Sequence, residues 1–254
     1  VGDFQNDVWQ LYNLNEDFSQ STDLASEYPE KLAFLQKTFA QEAKKYNVAP
    51  LDDRWVERAL IKRPSVIADK YQFSYTQDVR RVPEGSAPPV FQRTHTITAD
   101  LTIPEGGAEG AIVAQGGSSG GYALFIKEGH LYYVYNFFGL EEYVVKSDIK
   151  VPSGAVTVRM EYDQTQPFRP FIDTFGGVAK LFINDQLVGA GDIKNHVIVR
   201  YSVTETLDVG TDLGASVSAI YRPHEPYEFS GEIHSVRYEL AKDRPTIIEA
   251  ATNK

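Results

Sequence analysis

Between Thr94 and Leu240, short runs rich in β-branched and aromatic residues are cut repeatedly by clusters of glycine, proline, asparagine and aspartate. The runs are Thr94–Leu101, Gly110–Gln115, Tyr122–Lys127, Leu131–Phe137, Tyr143–Ser147, Val156–Tyr162, Val178–Ile183, Leu207–Gly210 and Phe229–Leu240. Between them lie Pro104–Gly107, Gly116–Gly121, Glu128-Gly129, Pro152–Gly154, Gly176-Gly177 and Asn184-Asp185. Strand-like runs with turn chemistry between them predict an antiparallel β-sandwich. The clearest hairpin joins Tyr122–Lys127 to Leu131–Asn136 through Glu128-Gly129-His130. A second joins Lys180–Ile183 to Gln186–Val188 through Asn184-Asp185, a two-residue turn of the kind hairpins favour.

The part of the chain before this β region carries one strong helical pattern, over Pro29–Tyr46. Leu32, Leu35, Phe39, Ala43 and Tyr46 recur at three- and four-residue steps and so share a face. Pro29 suits the first turn, Glu30 sits near the positive end of the helix dipole, and Lys44 and Lys45 sit near the negative end. Asn47 is a suitable stop. Upstream, Val8–Tyr12 alternates like a short strand and runs into the turn residues Asn13–Asp17. A lone strand and helix cannot bury Trp9, Tyr12, Leu35 and Phe39 between them, so this element needs something to pack against.

Composition removes several function classes. The net charge of −10 leaves no basic stripe for a nucleic-acid backbone. No apolar run approaches the ~20 residues of a membrane-spanning helix. The chain has no cysteine, which excludes disulfides, thiolate metal sites and cysteine nucleophiles. Gly116–Gly121 lacks the Gly-Lys-Ser/Thr ending of a phosphate loop and precedes a strand, so a turn is expected there. Glu161 and Asp163 begin the alternation of acids that places two carboxylates on one strand face, but Gln164, Thr165 and Gln166 follow and no further acid completes it. Asp208 and Asp212 bracket a Gly-rich loop with too few oxygens for calcium, so turn capping is expected. His95, His130, His196, His224 and His234 are scattered without a metal-ligand spacing. No catalytic, cofactor or metal residue is assigned in this chain.

Two aromatic groups are candidate contacts for a sugar or a protein partner. Along 131–138, Tyr133, Tyr135 and Phe137 fall on one side of the strand, while Tyr132, Val134 and Phe138 fall on the other, so one set is core. The segment Thr165–Gly177 places Phe168, Phe171 and Phe175 in a proline-interrupted loop, where an apolar surface needs a cover.

The phrases Trp9–Leu14 (WQLYNL), Asp17–Gln20 (DFSQ), Asp23–Ala25 (DLA), Pro29–Leu32 (PEKL), Glu42–Val48 (EAKKYNV) and Pro50–Arg54 (PLDDR) resemble the end of bacterial arylsulfatases of the alkaline-phosphatase-like superfamily. The stretch GGYALFIKEGHLYYVYNFFG (120–139) looks like the concanavalin A-like, or laminin G-like, sandwiches. With RTHTITADLTIP before it and VGTDLGASVS after it, it is similar to the C-terminal extension of longer arylsulfatases. The resemblance implies a parent enzyme that hydrolyses sulfate esters, with calcium and formylglycine in a catalytic domain outside this chain. The Cys/Ser-x-Pro-x-Arg motif that supplies formylglycine is missing here, since Ser86-Ala87-Pro88-Pro89 is followed by Val90. The chain alone is therefore expected to be inactive.

The expected layout is the end of a sulfatase C-terminal subdomain over 1–50, a connector over 51–75, a jelly-roll sandwich over 76–245 and a tail over 246–254. The fold expected is mainly β, an antiparallel concanavalin A-like sandwich preceded by a short strand and one amphipathic helix. The function expected is a non-catalytic C-terminal portion of an arylsulfatase serving stability, docking or oligomerisation, with a carbohydrate-binding module as the alternative. Its partners would be the catalytic domain, a second copy or carbohydrate, with neither nucleic acid nor membrane. A soluble protein of the bacterial cytoplasm or periplasm is expected.

Overall fold

The computed structural model describes residues 4, 6–54, 65–67, 69–91, 93–165, 176–197 and 200–242. The chain divides into two compact units, Val1–Arg63 and Pro64–Lys254. Part of the connector (55–64 and 68), the aromatic loop with Phe168, Phe171 and Phe175, and the 246–254 tail lie outside the described residues.

The first unit holds α1 (Pro29–Lys45), with Pro29 in its first turn and Lys44 and Lys45 in its last. Asn47 has φ +55°, the left-handed conformation that ends helices. The Val48 amide donates to the Ala43 carbonyl at 2.8 Å and the Asn47 amide to the Lys44 carbonyl at 3.4 Å. That pair of bonds is a Schellman stop, and it satisfies carbonyls the helix would leave open. The expected strand at Val8–Tyr12 does not form. An extended segment needs a ladder partner to be a strand, and this one instead ties to a turn: the Leu11 amide donates to Asp23 Oδ1, and the Leu24 amide to the Leu11 carbonyl.

The second unit is a sandwich of two six-stranded antiparallel sheets. Its strands are β1 (Gln72–Tyr75), β2 (Val82–Pro83), β3 (His95–Ile103), β4 (Gly110–Gly117), β5 (Gly120–Lys127), β6 (His130–Phe137), β7 (Glu141–Lys150), β8 (Gly154–Gln164), β9 (Gly177–Ile183), β10 (Gln186–Ile193), β11 (Thr206–Val209) and β12 (Glu232–Leu240). Sheet I runs β1-β12-β3-β8-β9-β10 and sheet II runs β2-β11-β4-β5-β6-β7. Every expected run yields a strand. The sheet also takes in β1, which lies inside the stretch expected as connector.

The turns follow from local chemistry. Glu128-Gly129 and Asn184-Asp185 both carry two consecutive positive φ values, as type I′ hairpins require. Gly116–Gly121 is the β4–β5 hairpin, not a ligand loop. A Cβ at Gly116 would sit 2.2 Å from the Gly120 carbonyl, so the two strand ends can close only without a side chain there.

Alternation in β3 is complete: His95, Ile97, Ala99, Leu101 and Ile103 are buried while the residues between face outward. They meet Val158, Met160 and Leu181 of sheet I and Leu124, Tyr133 and Leu207 of sheet II in one inter-sheet core. Each large side chain removed from water there contributes roughly 1.5–3 kcal/mol. At one edge of the sandwich β10 closes against β7, where a Cβ on Gly189 would meet the Lys146 carbonyl at 2.6 Å.

Candidate binding surfaces

The two outer faces of the sandwich differ. On sheet II, Ala111, Ala114, Ala123, Phe125 and Val134 form a second buried cluster under Val217, Tyr221 and Tyr227. These last three belong to the 211–229 segment, which folds back over its own sheet. Asp212 anchors it. Oδ2 accepts from the Tyr221 hydroxyl at 2.5 Å and from the Val217 amide at 2.9 Å. Burial pushes the Asp212 carboxyl up to about 7, the two hydrogen bonds opposing the rise. Asp208 accepts from the Arg81 amide and the Thr206 hydroxyl. Both acids therefore serve the backbone and neighbouring hydroxyls.

The aromatic set on 131–138 is divided by the sheet. Tyr133 and Tyr135 point inward and are each 1% exposed, which removes them as sugar contacts. The Tyr135 hydroxyl accepts from the Val197 amide at 2.9 Å. Tyr132 lies on the other face, half-buried, with its ring stacked 5.1 Å from Phe125 and Lys146 Nζ 5.5 Å above it. It alone of the three keeps an outward surface. Phe168, Phe171 and Phe175 lie outside the described residues.

The core beneath holds two histidines. His196 stacks 4.2 Å from the ring of Tyr135 and 4.6 Å from that of Tyr162, and neither of its ring nitrogens has a hydrogen-bond partner. Burial holds it down to about 3, and His95 down to about 4. Both are neutral imidazoles filling aromatic space. Among the described residues no three His, Asp or Glu side chains gather as a metal site.

The outer face of sheet I is polar and open. Arg237 pairs with Asp100 at 2.5 Å, and Asp100 also accepts from the Thr157 hydroxyl. The hydrogen bond from Arg237 is the largest of the effects that hold the Asp100 carboxyl below the usual carboxylate range. Arg159 pairs with Glu161 and Asp185 and lies over the Phe182 ring at 4.4 Å. Lys180 pairs with Asp163 at 2.9 Å. The alternate acids Glu161 and Asp163 are thus each engaged by a cation.

At the β1 edge of the same sheet is a groove of about 630 Å³ lined by Lys70, Tyr71, Gln72, Glu239, Leu240 and Lys242. Antiparallel pairing of β1 with β12 makes it, because Gln72 sits opposite Glu239 and the Leu240 amide donates to the Tyr71 carbonyl. The start of the sandwich sequence thereby meets its end. Arg93 lies 5.6 Å from the Tyr71 ring centroid. Sequence patterning gave no warning of this site, because β1 is four residues long and its burial alternates only weakly.

In the first unit, α1 buries only Ala43. Leu35 is 40% exposed and Phe39 41%; Trp9, also 41% exposed, touches Phe39 edge-on at 5.4 Å. The expected apolar face exists and is partly covered, with Ala43 buried and Leu32 half-buried.

No family model matches the chain, and no curated protein matches it. Among solved structures it is similar to the CBM40 of a Ruminococcus gnavus IT-sialidase bound to alpha2,6 sialyllactose, at 16% identity over 70% of this chain and 96% of that one, with TM-score 0.45. It is similar to an SAP-like pentraxin from Limulus polyphemus at 14% identity over 70% and 75% of the two chains, with TM-score 0.39. For domains LG4-5 of the mouse laminin alpha1 chain the identity is 15% over 68% and 41%, with TM-score 0.36. The sandwich assignment rests on strand order and pairing, not on these likenesses.

Proposed function

We propose that the chain is a non-catalytic accessory region of an arylsulfatase, docked through α1 onto the catalytic domain. The observation that carries this reading is the apolar patch formed by Leu35 and Phe39 of α1 with Trp9 packed on Phe39, each of the three left some two-fifths exposed. Water-exposed apolar surface of this kind is stabilised by a partner. The choice of partner rests on the phrases between Trp9 and Arg54 that resemble arylsulfatase C-termini. The test is co-expression with the catalytic domain of the proposed parent arylsulfatase. Wild-type chain should co-purify with it, and Leu35→Asp with Phe39→Asp should abolish co-purification without unfolding the sandwich. Retention of the doubly charged variant at wild-type level would overturn the docking role of this face.

A second reading, carbohydrate binding by the sandwich, is supported by a different observation. Sheet II is covered by the 211–229 segment, whereas sheet I presents an open polar face with a groove along its β1 edge. Such an accessory region would hold substrate near the catalytic domain without acting on it.

A further inference from the structure

The groove at the β1–β12 edge concentrates cations on a chain that is otherwise acidic. Lys70 precedes β1 and Lys242 follows β12, so the antiparallel pairing brings both to one end of the edge. Both ammonium groups are exposed, and neither has an ion pair among the described residues. This contrasts with the neighbouring face of the same sheet, where Arg159, Lys180 and Arg237 are each matched by a carboxylate. Among the described residues the one acid lining the groove is Glu239.

Two lysines against one glutamate give the described lining of this concavity a net positive charge. The remaining lining is suited to a sugar: the half-buried Tyr71 offers a ring, and Gln72 offers both a donor and an acceptor amide atom. A second cavity of about 220 Å³, lined by Asp69, Pro89 and Arg93 among others, shares Lys70 and Tyr71 with the first. The first groove, at about 630 Å³, lies within the ~300–1,000 Å³ of typical small-ligand sites. A net charge of −10 opposes a long polyanion, so the ligand should carry its charge at one point.

We infer that this groove binds an oligosaccharide bearing a single acidic group, a carboxylate or a sulfate ester, which Lys70 and Lys242 clamp while Tyr71 supports the ring beside it. The inference rests on the carbohydrate reading above and assigns it a site and a charge.

The test is calorimetric titration of the full chain with two matched pairs. One is a trisaccharide carrying one terminal uronate against its methyl ester; the other is a trisaccharide carrying one sulfate ester against its unsulfated form. At least one acidic member should bind, with its neutral counterpart at least about tenfold weaker. Lys70→Gln with Lys242→Gln should lower that affinity at least about tenfold and leave the thermal midpoint unchanged. Which pair responds tells carboxylate from sulfate. Equal binding by acidic and neutral members would overturn the charge assignment. Equal binding by wild-type and variant would overturn the groove while leaving the carbohydrate reading intact. No binding by any member at millimolar concentration would remove both.

Discussion

At the scale of single residues, three buried groups give the molecule opposed responses to pH. His95 and His196 are held neutral by burial, with folded values of about 4 and 3 against an ordinary 6.5. Unfolding frees them to take protons, so their contribution is intact above pH 6.5 and is lost as pH falls below it, at up to ~1.4 kcal/mol per pH unit for each group. Asp212 works the other way. Its folded value of about 7 exceeds the unfolded 3.8, so its contribution is full below pH 3.8 and drains away as pH rises through 7. Denaturation of His196→Phe at a series of pH values should therefore show a shallower loss of stability between pH 6.5 and 4.5 than wild type. Asp212→Asn should gain on wild type between pH 4 and 7.5, since an amide oxygen can still accept from Val217 and Tyr221 without carrying charge. Parallel curves for a variant and wild type would refute the role given to that residue. None of this was legible in the sequence, where His196 and Asp212 look like any surface histidine and turn aspartate. Their burial depends on which distant strands close over them.

Among the elements, the long strands were legible because burial on one face imposes a period of two and each run ends in turn chemistry. Helix α1 was legible down to its stop at Asn47, which uses a positive φ that asparagine tolerates. What was not legible has a common physical cause. β1 and β2 are short edge strands with little burial to impose a pattern, and β10 loses its pattern where Gly189 and Gly191 replace side chains with close backbone approach to β7. Val8–Tyr12 shows the converse: alternation without a neighbouring strand makes no sheet. Two changes check these elements. Gly189→Val should force β10 away from β7 and cost about 1–3 kcal/mol by overpacking, read as a lowered denaturation midpoint. Leu35→Ala with Phe39→Ala should cost under ~1 kcal/mol each in the isolated chain, because both side chains remain some two-fifths exposed. A loss in the ~2–5 kcal/mol range expected of buried Leu and Phe would show that the helix face is already covered.

For the whole molecule, the sandwich was readable and its candidate binding surfaces were not. Alternation along β6 separated Tyr132 from Tyr133 and Tyr135 correctly, yet could not say which side faces solvent, because that is decided by the other sheet and by the 211–229 cover. The groove escapes sequence reasoning altogether, since Lys70 and Lys242 come from opposite ends of the sandwich sequence and meet only through strand pairing. The helix face is the reverse case, an apolar pattern visible in sequence whose Leu35 and Phe39 stay some two-fifths exposed. Its occupation by a catalytic domain is the central claim, and amide hydrogen exchange of α1 tests it most directly. On mixing the chain with the catalytic domain of the proposed parent, the α1 amides after Pro29 should slow at least about tenfold while those of the sandwich core stay unchanged. Unchanged exchange across α1 in a mixture where the two proteins demonstrably associate would contradict it.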